Sequence, residues 1–249
     1  MFVALSVAEP AGRCERRKRK RNAPLTVERI AVPGAFSFYR MTVQTNSRQL
    51  PWNAIAEAAG SLRGCFLLPP GLTVPPECRV RAFVPQVLPQ FLLFNFGVFV
   101  LNRRGVRKAD LTVVDPQALF ADRLERLLPF AATLRVLTAR PACYSSTRRR
   151  LLELCGLTVC VAPLYAPLPE HGVLLSLSAA RVPRLFDGLL FTNENRRLLR
   201  GETVVGKDVL LPPRIEALRP PGIDRVQFAS ALFERCGAEE LQSVRFSNH

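Results

Sequence analysis

A chain of 249 residues, 48% of them hydrophobic, is long and apolar enough to bury one large or two small cores, which excludes disorder as its dominant state. Seven cysteines are too few for a disulfide scaffold, and two histidines leave little room for metal or imidazole chemistry. The formal charge is +15, but all but four of the 35 basic residues (Lys18, Lys20, Lys108 and Lys207) are arginine. Skewed codon usage produces the same bias, so the total charge by itself names no partner.

The first segment carries the densest charge. Between Arg13 and Arg21 lie seven basic residues against Glu15. Such a block repels itself and stays solvated, so residues 1–22 are expected to form a disordered basic arm. An arm of this kind suits the phosphates of nucleic acid, an anionic lipid surface or a nuclear import receptor. Nucleic-acid recognition also needs a reading element, and the sequence holds no zinc-finger spacing, no basic region running into heptads and no aromatic-rich RNP segment. The opening MFVALSVA has neither a preceding basic region nor a cleavage motif and is not read as a signal peptide. None of Cys14, Cys65, Cys78, Cys143, Cys155, Cys160 and Cys236 forms a C-x-x-C pair. They fit thiols in a reducing, cytoplasmic setting, and no metal site is expected.

Residues 23–105 read as a small α+β region. TVERIAV and AFSFYRMTV, broken by Pro33-Gly34, predict two strands joined by a turn. Trp52, Ile55, Ala59 and Leu62 recur at helical spacing after Pro51, and proline clusters at 69–70 and 75–76 mark a loop leading to a strand near Arg79–Val84. The run from Phe83 to Leu101 approaches the length of a membrane span. It contains Pro85, Pro89, Gln86, Gln90 and Asn95, so a buried helix is expected instead, and no membrane span.

The region 106–249 is expected to be a Rossmann-like α/β domain with a β-rich and helical C-terminal extension. LTVV (111–114), LRVLT (134–138) and LTVCV (157–161) start at equal intervals, with helix-like segments between them. Leu119, Phe120, Leu124, Leu127 and Leu128 form the face of the first; Leu151, Leu152 and Cys155 point inward in the second, which Gly156 ends. This is a βαβαβ unit with parallel strands and right-handed crossovers. GVLLSLS (172–178) and LFDGLLFT (185–192) are expected as further strands, ETVVGKDVLL as a hairpin turning at Gly206, and 224–236 as a helix capped by Asp224 and stopped by Gly237.

Parallel α/β sheets bind ligands beyond the carboxyl ends of their strands. That rule selects Asp115, Thr138, Arg140, Tyr144, Ser145 and Ser146 as lining a cleft, and Asn193 joins them if its strand enters the same sheet. Ser145, Ser146 or Thr147 caps the second helix, where backbone N–H groups favour an anion and Arg140 and Arg148 add guanidinium contacts. The competing readings are structural: serine and threonine commonly cap helices, Arg149 and Glu153 sit at surface ion-pair spacing, and Asp115-Pro116 suits a turn or helix start.

Known templates match incompletely. A dinucleotide site wants G-x-G-x-x-G after the first strand, and DPQALF has no glycine. LTVV followed by Asp115, LRVL followed by Thr138, and a downstream Lys207 together resemble a dehalogenase-like phosphatase over a short stretch. That resemblance implies a second carboxylate two residues after the first, where this chain has Gln117, and a later acidic pair, of which only Asp224 is in place. His171 has no nucleophile motif around it, and Lys207 falls in an expected turn. The leading expectation is a cytoplasmic protein binding a small phosphate- or carboxylate-bearing ligand, with no cofactor or catalytic residue identified. The alternatives are a transferase or hydrolase acting at the Asp115/Ser145 cleft, and nucleic-acid binding through residues 13–21.

Overall fold

The computed structural model describes residues 1–8, 25–32, 35–45, 50–178, 182, 185–194, 197–206 and 208–247. In chain order its strands are β1 (Val3–Ala8), β2 (Leu25–Val32), β3 (Phe36–Gln44), β4 (Phe66–Leu67), β5 (Ala109–Val114), β6 (Ala131–Thr138), β7 (Val159–Pro163), β8 (His171–Ser176), β9 (Asp187–Thr192), β10 (Glu202–Val205), β11 (Asp208–Val209) and β12 (Phe246–Ser247). The α-helices are α1 (Trp52–Ala59), α2 (Leu88–Arg103), α3 (Ser145–Cys155), α4 (Pro213–Glu216) and α5 (Arg225–Cys236). They fall into two compact units, Met1–Leu88 with Leu211–Gln242, and Pro89–Leu210 with Ser243–His249.

The first unit is built on a sheet of order β2-β3-β1-β4, in which β1 runs parallel to β3 and β4 while β2 is antiparallel to β3. The β2–β3 pair is the one expected from the sequence. The arm expected over 1–22 is not what its first residues form, because Val3–Ala8 make an inner strand whose start is fully buried. A strand flanked on both sides reads as a continuous apolar run rather than an alternating one, and MFVALSVA is such a run. Residues 13–21 lie outside the described residues. The helix α1 buries Ile55, with Trp52, Ala59 and Leu62 packed partly against the same core. Only Ala82 of the strand expected at 79–84 makes a bridge, to Phe66.

The C-terminal helix belongs to this unit and not to the parallel-sheet domain expected to contain it. Phe228 of α5 stands edge-on to Phe2 and Phe38, which stack with ring centroids 5.0 Å apart. Asp224 caps α5 by accepting from the Gln227 N–H at 2.9 Å, and Gly237 ends it at φ 73, both as expected.

The second unit holds six strands, all parallel, in the order β10-β9-β8-β5-β6-β7. Numbered from β5, the sheet reads 3-2-1-4-5-6 from its β7 edge, the doubly wound Rossmann-like order, with its direction reversing between β5 and β8. The strands expected after residue 163 therefore do join the same sheet. The α2 helix is buried along most of its length and covers one face of the sheet. A Cβ on Gly97 would lie 3.1 Å from Leu175 Cδ2, so the missing side chain lets α2 come close to β8. Phe94 stacks on Phe120 at 4.7 Å, and Phe96 meets Phe191 edge-on. These contacts place α2 with this sheet rather than with the region 23–105. Among the described residues no helix is long and apolar enough to cross a membrane.

The crossover from β5 to β6 is a 3-10 helix, Ala121–Phe130, with Ala121, Leu124, Leu127 and Phe130 buried. Burial at every third residue is the period of that helix, and its rise of about 2.0 Å per residue lets a short crossover span a strand's length. The α3 helix buries Thr147 and Leu151 and ends at Gly156 in the left-handed region, φ 69. Leu152 and Cys155, expected inward, are exposed. The expected hairpin at Gly206 does not form: β10 pairs in parallel with β9, and β11 pairs with β12. Gly206 is there for space, since a Cβ would stand 2.1 Å from the Phe246 ring.

Candidate functional site

The carboxyl edge of the six-stranded sheet carries a row of buried polar side chains: Asp115, Thr138, Ser176 and Thr192. Each ends a strand by bonding back onto nearby chain. Thr138 Oγ1 accepts from the Arg140 N–H at 3.1 Å, and Thr192 Oγ1 accepts from the Glu194 N–H at 3.1 Å. The Ser176 hydroxyl donates to the Ser178 carbonyl at 2.8 Å. These are turns in which a side chain replaces the backbone partner that a ladder no longer supplies.

Asp115 is the centre of the row. Its carboxylate is fully buried and accepts from the Leu119 N–H at 3.0 Å, the Phe120 N–H at 2.9 Å and the Tyr144 hydroxyl at 2.5 Å. In a dinucleotide-binding sheet the N–H groups of this first loop face a bound pyrophosphate. Here the loop's own carboxylate takes them, and Ala118, at φ 57, makes the sharp turn that brings them round. Tyr144, fully buried, ties the second loop to the first across the β5–β6 pair. Burial, reinforced by the adjacent Asp115 carboxylate, holds the Tyr144 phenol well above its ordinary value, so it acts as a donor and not as an acid.

The loop between β6 and α3 is thus fixed from beneath. Thr138 holds the Arg140 N–H, Tyr144 holds Asp115, and the Thr147 hydroxyl donates to the Ala121 carbonyl at 3.0 Å. The capping expected of Ser145, Ser146 or Thr147 is not made: Tyr144 occupies the cap position, no side chain caps the helix, and Thr147 faces inward. What faces solvent is Arg140, Ser145, Ser146 and Arg148. The arginine run divides. Arg149 pairs with Glu153 at 3.9 Å and Arg150 with Glu125 at 3.5 Å, both exposed contacts that add little stability. Among the described residues neither the Arg140 nor the Arg148 guanidinium has a partner, and Ser145 shares a helix face with Arg148.

Asn193 follows β9 and is separated from the β6 loop by β5 and β8, a distance of about 14 Å at ordinary strand spacing. Its amide donates to the Pro89 carbonyl at 3.3 Å, which anchors the start of α2. The structure therefore brings together Asp115, Thr138 and Tyr144 as a buried framework and Arg140, Ser145 and Ser146 as its exposed face, and leaves Asn193 apart. His171 is an exposed residue at the start of β8, on the opposite edge of the sheet, and Lys207 lies outside the described residues. No group of three or more His, Cys, Asp or Glu side chains among the described residues is arranged to hold a metal ion. No family model matches the chain, and a search of the curated proteins finds no relative of it.

Proposed function

We propose that the parallel-sheet unit binds a small anionic ligand, bearing phosphate or carboxylate, over the loop between β6 and α3. Arg140 and Arg148 supply the charge, and the Ser145 and Ser146 hydroxyls supply neutral donors. The observation that carries this reading is a pair of guanidinium groups, Arg140 on the loop and Arg148 in the first turn of α3, that have no partner among the described residues, on a segment that three hydrogen bonds, two of them buried, hold in place. A preorganised donor set loses less on binding than a mobile one. The planar fork of arginine fits phosphate and carboxylate oxygens two at a time. Asp115 and Tyr144 support the floor rather than touch the ligand, because the Asp115 oxygens already accept three donors. The reading is accordingly one of binding, and no side chain at the loop is assigned a chemical step.

The test is calorimetric titration of the full chain with inorganic phosphate, a nucleoside diphosphate and citrate. Each charge-assisted contact is worth about 1.5–3 kcal/mol, so Arg140→Ala and Arg148→Ala each weaken binding about tenfold or more. Absence of binding by all three anions, or equal affinity in the double variant, overturns the reading.

A further inference from the structure

The two longest stretches of the chain without Asp, Glu, Lys, Arg or His are residues 82–102 and 154–169. The first supplies α2, and its lack of charge is explained by burial. The second is mostly exposed or half-buried, with Val159 alone fully buried. It begins in the last turn of α3, passes through β7 and continues beyond it, at the outer edge of the six-stranded sheet. Leu152, Leu154, Leu164 and Tyr165 around this edge are 52%, 69%, 39% and 90% exposed, and Cys160 in mid-strand is exposed as well.

Open strand edges offer unpaired N–H and C=O groups, and proteins guard them with charge, proline or brevity. The other long edges here are guarded. The edge strand β2 carries Glu28 and Arg29, and β10 carries Glu202, ion-paired to Arg104. The β7 edge has only Pro163, at its very end, and among the described residues no strand pairs with its outer side. What sets the β7 edge apart is that it carries no charge in a chain of +15, so the cover that suits it brings no like charge against it.

We infer that β7 is the self-association surface of this protein, pairing antiparallel with β7 of a second copy about a two-fold axis near Cys160 and Val161. A second copy supplies the matching edge without any like-charge contact along the strand, and the two sheets join into one. The arrangement is isologous and closed, so it stops at a dimer. Leu152, Leu154, Leu164 and Tyr165 supply the apolar flank that a short strand pair by itself lacks.

Sedimentation equilibrium of the full chain over a concentration series tests this. The wild type is expected to be dimeric, and Val161→Lys, which sets two ammonium groups against each other across the axis, to raise the dimer dissociation constant about tenfold or more while leaving the circular dichroism spectrum unchanged. A wild type that stays monomeric throughout, or a Val161→Lys variant that dimerises equally well, overturns the inference. Should Val161→Lys fail to fold, a short bismaleimide decides: the wild type yields a crosslinked dimer that Cys160→Ser abolishes and Cys143→Ser does not. A crosslink indifferent to Cys160, or none, overturns it.

Discussion

Replacing Tyr144 with Phe removes one hydroxyl from a fully buried side chain and leaves its ring in place. Asp115 Oδ2 then keeps only the Phe120 N–H at 2.9 Å. Hydrogen bonds to charged groups contribute about 1.5–3 kcal/mol, and Tyr144→Phe is expected to lose about that much stability at neutral pH. The pH dependence of the loss is the sharper signature. Burial and the Asp115 carboxylate raise the folded phenol above its ordinary 10.0, whereas in the unfolded chain it ionises near that value. Above that pH the unfolded state sheds a proton that the folded state keeps, so unfolding becomes easier. The contribution is therefore complete below about pH 10 and is lost above it at up to about 1.4 kcal/mol per pH unit. Phenylalanine holds no proton, so the gap between wild type and variant narrows by that slope. Urea unfolding of both proteins, followed by circular dichroism from neutral to alkaline pH, measures the gap directly. Burial also raises the thiols of Cys65 and Cys236, but these titrate alike in both proteins and cancel. A gap that stays constant with pH, or a variant as stable as wild type at neutrality, refutes the reasoning.

Two further substitutions test the fold around the site. Gly206→Ala sets a methyl group 2.1 Å from the Phe246 ring and is expected to cost about 1–3 kcal/mol, with partial recovery when Phe246→Leu is added; equal melting of Gly206→Ala and wild type contradicts the packing role. Asp224→Ala removes the acceptor for the Gln227 N–H and is expected to cost about 1 kcal/mol in chemical denaturation, while Asp224→Ser costs a few tenths at most.

The parallel sheet was legible because its signal is periodic. The equal spacing of LTVV, LRVLT and LTVCV marks three strands and two crossovers, and the fold contains them as β5, β6 and β7. Helix ends were legible where one residue type does one job, as with Asp224, Gly156 and Gly237. The first strand was not legible, because MFVALSVA next to a basic block suggests a solvated tail, and only pairing with β3 and β4 makes it an inner strand. The orientation of α3 is not legible in the sequence, because Leu151 and Leu152 are adjacent on the helix and only Leu151 is buried. At the site, the residue types at the strand ends were found, but not their division of labour. Nothing local in the sequence says that Tyr144 reaches back to Asp115, 29 residues earlier, or that Asn193 reaches Pro89. Those bonds depend on strand order, which the spacing of apolar runs does not encode.

The claim that a small anion sits on the loop between β6 and α3 is tested most directly by following backbone amide resonances during titration with inorganic phosphate. The account predicts that Ser145, Ser146 and Arg148 shift together and saturably, and that the shifts vanish in Arg140→Ala. Shifts confined to other parts of the chain, or unchanged at Ser145 and Ser146 when Arg140 is removed, contradict it.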